Sequence, residues 1–224
     1  MGELVLDTFT LFLIAGMALM IICMCWANHI SYQFPIWKLI VSGAVLTAIG
    51  LLGAHIMSWI ESGNWTGRSF YGAVFLTPIL LWPLSMILKM NYGRLMDLSA
   101  PAECIMLALL KVKCVIDGCC IGRIFNIHGG SYRFPSQIVE CCIAVVLMIV
   151  LVLMIKQQRF EGRVFQSYLV LYGIIRFVLN LFRETTPWIG PFAAGNFWSL
   201  VSIAIGVISI ILLKQHQKKV RLKI

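Results

Sequence analysis

Charge is what this sequence has least of. Only 12% of its 224 residues are Asp, Glu, Lys or Arg, while 60% are hydrophobic; soluble domains hold about a quarter charged and about half apolar. That balance excludes an ordinary soluble protein. Acidic residues are the scarcest, nine against eighteen basic ones. The basic residues are scattered over connections and the C-terminal tail rather than gathered on one face, which argues against a nucleic-acid partner. The sequence also lacks an internal repeat, a low-complexity tract and any polar connection long enough to fold separately. It therefore reads as one integral-membrane domain over residues 1–224, with its function inside or at the edge of a helical bundle. The opening MGELVLD carries Glu3 and Asp7 but no Lys or Arg, whereas a cleaved signal peptide starts with a positive segment. The first hydrophobic run is expected to stay.

What the sequence does have is long apolar runs. A bilayer core takes about 20 consecutive apolar residues per helix, and six segments qualify: 8–28, 36–60, 69–90, 137–155, 164–182 and 195–214. A seventh, 101–116, is shorter, holds Glu103, Lys111 and Lys113, and is framed by Pro101 and Gly118. The expected fold is all-α, a polytopic membrane protein of about seven transmembrane helices. With the N-terminus outside, Lys38, Lys89, Arg94, Lys156, Arg159, Arg163, Lys214, Lys218, Lys219, Arg221 and Lys223 fall inside. The outer connections then receive Arg68, Arg123, Arg133 and Arg183. The positive-inside rule therefore places the N-terminus outside and the C-terminus in the cytoplasm, with the net +9 facing anionic headgroups.

Charged side chains within a span cost about 2.5–3.5 kcal/mol each on insertion scales and tend to face a cavity or one another. In this topology the unusual residues of four helices meet in the outer leaflet: Arg68 and Tyr71; Lys111, Lys113, Cys114 and Asp117; Gln137 and Glu140; Arg176, Asn180 and Arg183. The spacing 176, 180, 183 is i, i+4, i+7 and predicts one helix face. Arg68 and Arg183 alone fit simple snorkelling to water. Arg176, deep in YLVLYGIIRFVLNLF, calls for a partner or an anionic ligand, and Glu140 is the neighbour to test. Several cations, a few carboxylates and a tyrosine open to the outer leaflet suit an anionic lipid headgroup, since Arg and Lys grip phosphate through charge-assisted hydrogen bonds.

Eight cysteines stand at 23, 25, 104, 114, 119, 120, 141 and 142. Zinc sites usually show paired C-x2-C-like spacings or Cys with His at ligand spacing. In CVIDGCCIGR (114–123) the first gap is four residues, the other pairs are adjacent, and His128 is the nearest imidazole, so no metal site is read. A disulfide among Cys114, Cys119, Cys120 and Cys141, a cavity lining and an active thiol all remain open. Cys23, Cys25 and Cys104 lie in apolar runs and read as small core residues; His29, His55 and His216 are each isolated.

With these residues in view, the chain resembles the prolipoprotein diacylglyceryl transferase family from about residue 36 to 205. LLGAHIMSWIE (51–61) resembles the family's G-A-R-x-x-Y segment, and GRSFYGAVF (67–75) its S-F-H-G-G-L. LLKVKCVIDGCCIGR (109–123) is similar to the signature G-R-x-G-N-F-x-x-G-E-x-x-G-R. FPSQIVE (134–140) resembles H-P-T-Q-L-Y-E, and YGIIRFVLNLFRE (172–184) resembles Y-G-x-x-R-F-x-x-E-x-x-R. The five follow in family order.

The resemblance implies a transferase of the bacterial plasma membrane that moves the diacylglyceryl group of phosphatidylglycerol to a lipobox cysteine of a preprolipoprotein, making a thioether. It implies no cofactor. Arg176, Arg183, Glu140, Gly122 and Arg123 match the family's residues, while Tyr71 replaces its histidine, Lys111 an arginine, Cys114 an asparagine, Cys119 a glutamate and Asn180 a glutamate. The implied catalytic set is Tyr71, Asp117, Glu140 and Arg176; the implied binding set is Lys111, Cys114, Cys119, Gly122, Arg123, Asn180 and Arg183. Lys111, Arg176 and Arg183 would hold phosphate, Glu140 or Asp117 would act as base, and Tyr71 would orient the headgroup. Tyr, with a pKa of about 10 against about 6.5 for His, donates rather than accepts at neutral pH. Two alternatives stand beside this reading: a non-catalytic lipid-binding relative, and a thiol-dependent membrane enzyme using Cys114, Cys119 or Cys120.

Overall fold

The computed structural model describes residues 7–127, 130–184, 188–189 and 192–221. Expectations resting on Glu3, His128 and Lys223, and on the side chains of Arg159, His216, Lys218, Lys219 and Arg221, lie outside the described residues. Among the described residues seven α-helices follow one another: α1 Thr8–Ser31, α2 Ile36–Ser62, α3 Phe70–Ile87, α4 Tyr92–Ile116, α5 Ser136–Lys156, α6 Val164–Asn180 and α7 Ala194–Arg221. Five of them, α1, α2, α3, α5 and the Ala194–Gln215 part of α7, are long and apolar enough to cross a membrane. Two small antiparallel hairpins, absent from the all-α expectation, sit in connections. β1 (Ile124–Ile127) pairs with β2 (Gly130–Arg133) between α4 and α5, and β3 (Trp188–Ile189) with β4 (Phe192–Ala193) before α7.

Most helix limits shift by a few residues from those read in the sequence, and two of the shifts bear on the site. α4 starts at Tyr92 rather than at Pro101, because Asn91 caps it: its side-chain oxygen accepts the Arg94 backbone N–H at 3.1 Å. Pro101 lies inside the helix, where it removes one i→i−4 hydrogen bond without ending the run. α6 ends at Asn180, so Arg183 is placed by the following turn, Arg183 N–H to Asn180 C=O at 3.3 Å.

Large apolar side chains such as Ile36, Ile87 and Ile116 point outward, as expected of a surface solvated by lipid rather than water. Inside, helices approach through small residues: Gly53 of α2 and Gly72 of α3 lie so close that a Cβ on either would strike the other's backbone. A polar staple fastens one end of the bundle. Asp97 of α4 accepts Tyr32 Oη at 2.9 Å and the backbone N–H groups of Gly162 at 2.6 Å and Val164 at 2.8 Å, so it caps the start of α6. Asn28 closes the α1–α2 turn by exchanging two hydrogen bonds with the Phe34 backbone. Ser31 donates to the Ile155 carbonyl at 3.0 Å, tying α1 to α5.

Candidate functional site

At the opposite end, the start of α3 and the ends of α2, α4 and α6 surround a cavity of about 630 Å³. Its depth is mostly apolar, with Leu13, Met20, Leu46 and Leu107 beside the buried Glu103 and Thr77, and its mouth is polar, with Glu61, Arg68, Lys111, Arg176 and Arg183. Such a gradient matches an amphiphile entering headgroup last.

A buried cluster of ion pairs stands beside it. Glu140, in the second turn of α5 and 4% exposed, receives Lys111 Nζ of α4 at 2.6 Å and Arg176 of α6 at 2.7 Å, both on Oε2. Three helices are thus joined through one oxygen. A buried carboxylate tolerates its surroundings only when paired, and here the pairing leaves one net positive charge. The pairing expected for Arg176 from sequence is present. Glu140 Oε1, both amide atoms of buried Asn180 and Arg183 Nε have no hydrogen-bond partner among the described residues. Unsatisfied buried groups cluster where a ligand or ordered water completes them.

The mouth takes its shape from how α4 stops. Gly118 adopts φ +66; its N–H reaches the Val115 carbonyl at 3.4 Å, and the Cys119 N–H reaches that of Cys114 at 3.1 Å. This is a Schellman ending, in which a glycine at positive φ folds the next residue back over the last turn. Cys119 is thereby set above Cys114. Cys120 also has positive φ, +59, and turns its thiol the same way; its Sγ lies 4.0 Å from that of Cys114. The loop is pinned to α5: Ser136 Oγ donates to the Cys120 carbonyl at 2.6 Å and Gln137 to that of Cys119 at 2.7 Å. The Cys120 thiol is held below its ordinary range by the Cys114 hydrogen bond and by the charges of Lys111 and Arg183, against the opposing effect of burial, whereas burial pushes Cys119 up.

Of the residues singled out in the sequence, Tyr71, Lys111, Cys114, Asp117, Cys119, Arg176, Asn180 and Arg183 line the cavity. Glu140 contacts two of them from behind. Tyr71 is buried, with its hydroxyl 2.7 Å from Ser199 Oγ. Asp117 forms a rim ion pair with Lys113 at 2.6 Å. Gly122 and Arg123 are not in the lining. Gly122 bridges to Arg183 and abuts the Phe134 carbonyl, leaving no room for a Cβ. Arg123 donates from Nε to the Arg183 carbonyl at 2.8 Å and from its backbone to Phe182 at 2.8 Å. Both contact Arg183.

Sequence reasoning passed over Glu61 and Ser199. Glu61, at the end of α2 and in the cavity wall, accepts Ser69 Oγ at 2.7 Å. It lay inside the quoted LLGAHIMSWIE segment, and an acidic residue near the end of an apolar run was its signal. Ser199 had none, since one serine in an apolar helix is unremarkable until Tyr71 is seen beside it.

A model of the prolipoprotein diacylglyceryl transferase family matches residues 1–212. The chain is 27% identical over 164 residues to phosphatidylglycerol–prolipoprotein diacylglyceryl transferase of Geobacter sulfurreducens, covering 67% of this chain and 63% of that one. It is 28% identical over 164 residues to the protein of that name from Chlorobaculum tepidum, with 67% and 57% covered. To the Dehalococcoides mccartyi protein it is 21% identical over 247 residues, with 97% and 93% covered. For the first two relatives, the match spans about three-fifths of their length.

Proposed function

Because the chain belongs to the prolipoprotein diacylglyceryl transferase family, a family of multi-pass membrane proteins, we propose that its cavity binds phosphatidylglycerol and transfers the diacylglyceryl group to a protein cysteine. The names of its relatives support this donor and acceptor. The observation that carries it is the cavity's gradient, a mostly apolar depth under a mouth of Lys111, Arg176 and Arg183. Acyl chains occupy the depth. The phosphate meets the cations, with Arg176 spending one guanidinium nitrogen on Glu140 and keeping other donors for the ligand.

In the reaction, a thiolate attacks the glyceryl carbon that bears the phosphate. The C–O bond breaks, its electron pair leaves on the phosphate oxygen, and glycerol phosphate departs as a thioether forms. Fixed cations lower the barrier by meeting the charge that gathers on the leaving phosphate. Lys111, Arg176 and Arg183 fill that role, and Asn180 completes the phosphate's hydrogen bonds. Glu140 fixes Lys111 and Arg176 in place. Since Asp117 and Glu61 line the cavity while Glu140 stands behind it, the first two are the carboxylates better placed to accept the thiol proton. Tyr71, held by Ser199, shapes the headgroup pocket. Gly122 and Arg123 act at one remove by anchoring Arg183.

In this reading the chain works as one integral-membrane unit, N-terminus outside and mouth in the outer leaflet, where the lipobox cysteine of an exported preprolipoprotein arrives. The cell membrane is that of a bacterium, as it is for the relatives. The test is transfer from radiolabelled phosphatidylglycerol to a lipobox peptide by the purified protein. Label in the peptide, lost with Arg176→Gln, is the expected result. Phosphatidylglycerol that co-purifies and is never turned over would leave a lipid-binding protein instead.

A further inference from the structure

The Schellman ending of α4 does something the transfer reaction does not need: it brings three thiols together. The sulfur atoms of Cys114, Cys119 and Cys120 all lie within 4.8 Å of one another. A zinc–thiolate bond of about 2.3 Å in tetrahedral geometry sets sulfurs about 3.8 Å apart. The Cys114–Cys120 separation of 4.0 Å is already close to that, and small side-chain rotations close the rest. The backbone is preset, because both carbonyls of the Cys119–Cys120 pair are hydrogen-bonded to the start of α5. Electrostatics agree. Three thiolates around a divalent ion carry one net negative charge, and Lys111 and Arg183 act electrostatically on Cys120.

We propose that Cys114, Cys119 and Cys120 form a three-thiolate site for a thiophilic divalent cation, zinc above all, with the fourth coordination position open to the cavity. All three cysteines line that cavity, which distinguishes them from Cys141 and Cys142 on α5. Soft thiolate ligands select Zn²⁺ and Cd²⁺ over Mg²⁺ and Ca²⁺. An open fourth position, as in catalytic zinc sites, takes one more donor. If the cavity is a diacylglyceryl-transfer site, that donor is the acceptor thiol, and binding would deprotonate it. This last clause rests on the transferase reading; the metal site itself does not.

The experiment is titration of reduced, metal-stripped protein in detergent with Cd²⁺, read by the thiolate-to-cadmium absorption band, with Zn²⁺ as competitor. One Cd²⁺ per chain is expected, displaced by Zn²⁺ and not by Mg²⁺. Each of Cys114→Ser, Cys119→Ser and Cys120→Ser should weaken binding by at least about 100-fold, while the paired Cys141→Ser, Cys142→Ser protein binds as before. Peptide mapping of the unmutated protein gives a second readout that no folding defect can mimic: Cd²⁺ should protect Cys119 from alkylation and leave Cys142 reactive. No saturable band, a band that survives loss of all three cysteines, or a Cys114–Cys120 disulfide in freshly isolated protein would overturn the proposal. Transfer activity without metal binding refutes the site alone, and metal binding without transfer refutes only the acceptor clause.

Discussion

Two buried carboxylates, one at each end of the bundle, are treated in opposite ways. Asp97 is fully buried and surrounded by donors: a tyrosine hydroxyl and backbone N–H groups of Gly162, before α6, and Val164, at its start. Both its oxygens are used, it is not in the lining of the cavity described above, and its work is to hold α4, α1 and the start of α6 together. Glu140 is buried equally well but is met by two full cations on one oxygen, while its other oxygen has no partner among the described residues. A folding staple satisfies every group it buries. A ligand site keeps charge in excess and leaves some groups waiting. On the proposed reading the difference separates a structural carboxylate from one that serves the site, and it can be broken experimentally.

Glu140→Gln should have the largest effect, because it leaves Lys111 and Arg176 buried without their counter-charge. Breaking a buried pair costs about 3–5 kcal/mol, so both thermal stability in detergent and transfer should fall; a stable, active variant would end the charge-excess reading. Arg176→Gln should spare more stability yet lower the transfer rate by about 100-fold or more, the scale of losing one preorganised donor to a developing charge. Asp97→Asn should show the reverse pattern. Weakening hydrogen bonds to a buried charge should cost roughly 2–3 kcal/mol of stability, seen as a lower melting temperature, while the folded fraction transfers lipid at close to the normal rate. Tyr71→Phe deletes one hydroxyl bonded to Ser199 and should cost about 1 kcal/mol, read as a several-fold rise in KM for lipid with kcat little changed.

The smallest effect concerns acidity at the mouth. Because the Cys120 thiol is lowered to about 4, its thiolate persists as pH falls from 8 to 6, where an ordinary thiol near 8.5 loses most of its own. Alkylation of Cys120 in reduced, metal-stripped protein should therefore stay nearly flat over that interval. The sign follows from linkage: a group whose folded value is depressed stabilises the fold above its ordinary pKa and gives that up as pH falls through the folded value. Lys111→Gln removes a nearby cation and should move the alkylation profile upward.

Much of this was legible in the chain itself. The apolar runs marked seven helices because hydrophobic length is a local property. The convergence of Lys111, Glu140, Arg176, Asn180 and Arg183 followed from depth along those runs and from their match to family motifs. Helix limits were less legible where side chains decide them. Pro101 looked like a boundary, yet the cap at Asn91 sets the start of α4, and a capping hydrogen bond outweighs one missing backbone bond inside a packed helix. Arg123 stood out by its match to the closing G-R of the family signature; its bond to the Arg183 carbonyl appears only when two distant connections are side by side.

Sequence alone determined that the molecule is a membrane bundle with its strongest charges gathered near one end, since burial in lipid permits long apolar helices and penalises every stray ion. Only the tertiary structure decided what those charges do to one another. Which oxygen Lys111 and Arg176 share, which tyrosine finds a serine, and that three cysteines in CVIDGCC face a common point all depend on atoms far apart in the chain or on a turn's handedness. Such pairings act over a few ångströms, a distance that spacing along a sequence does not encode.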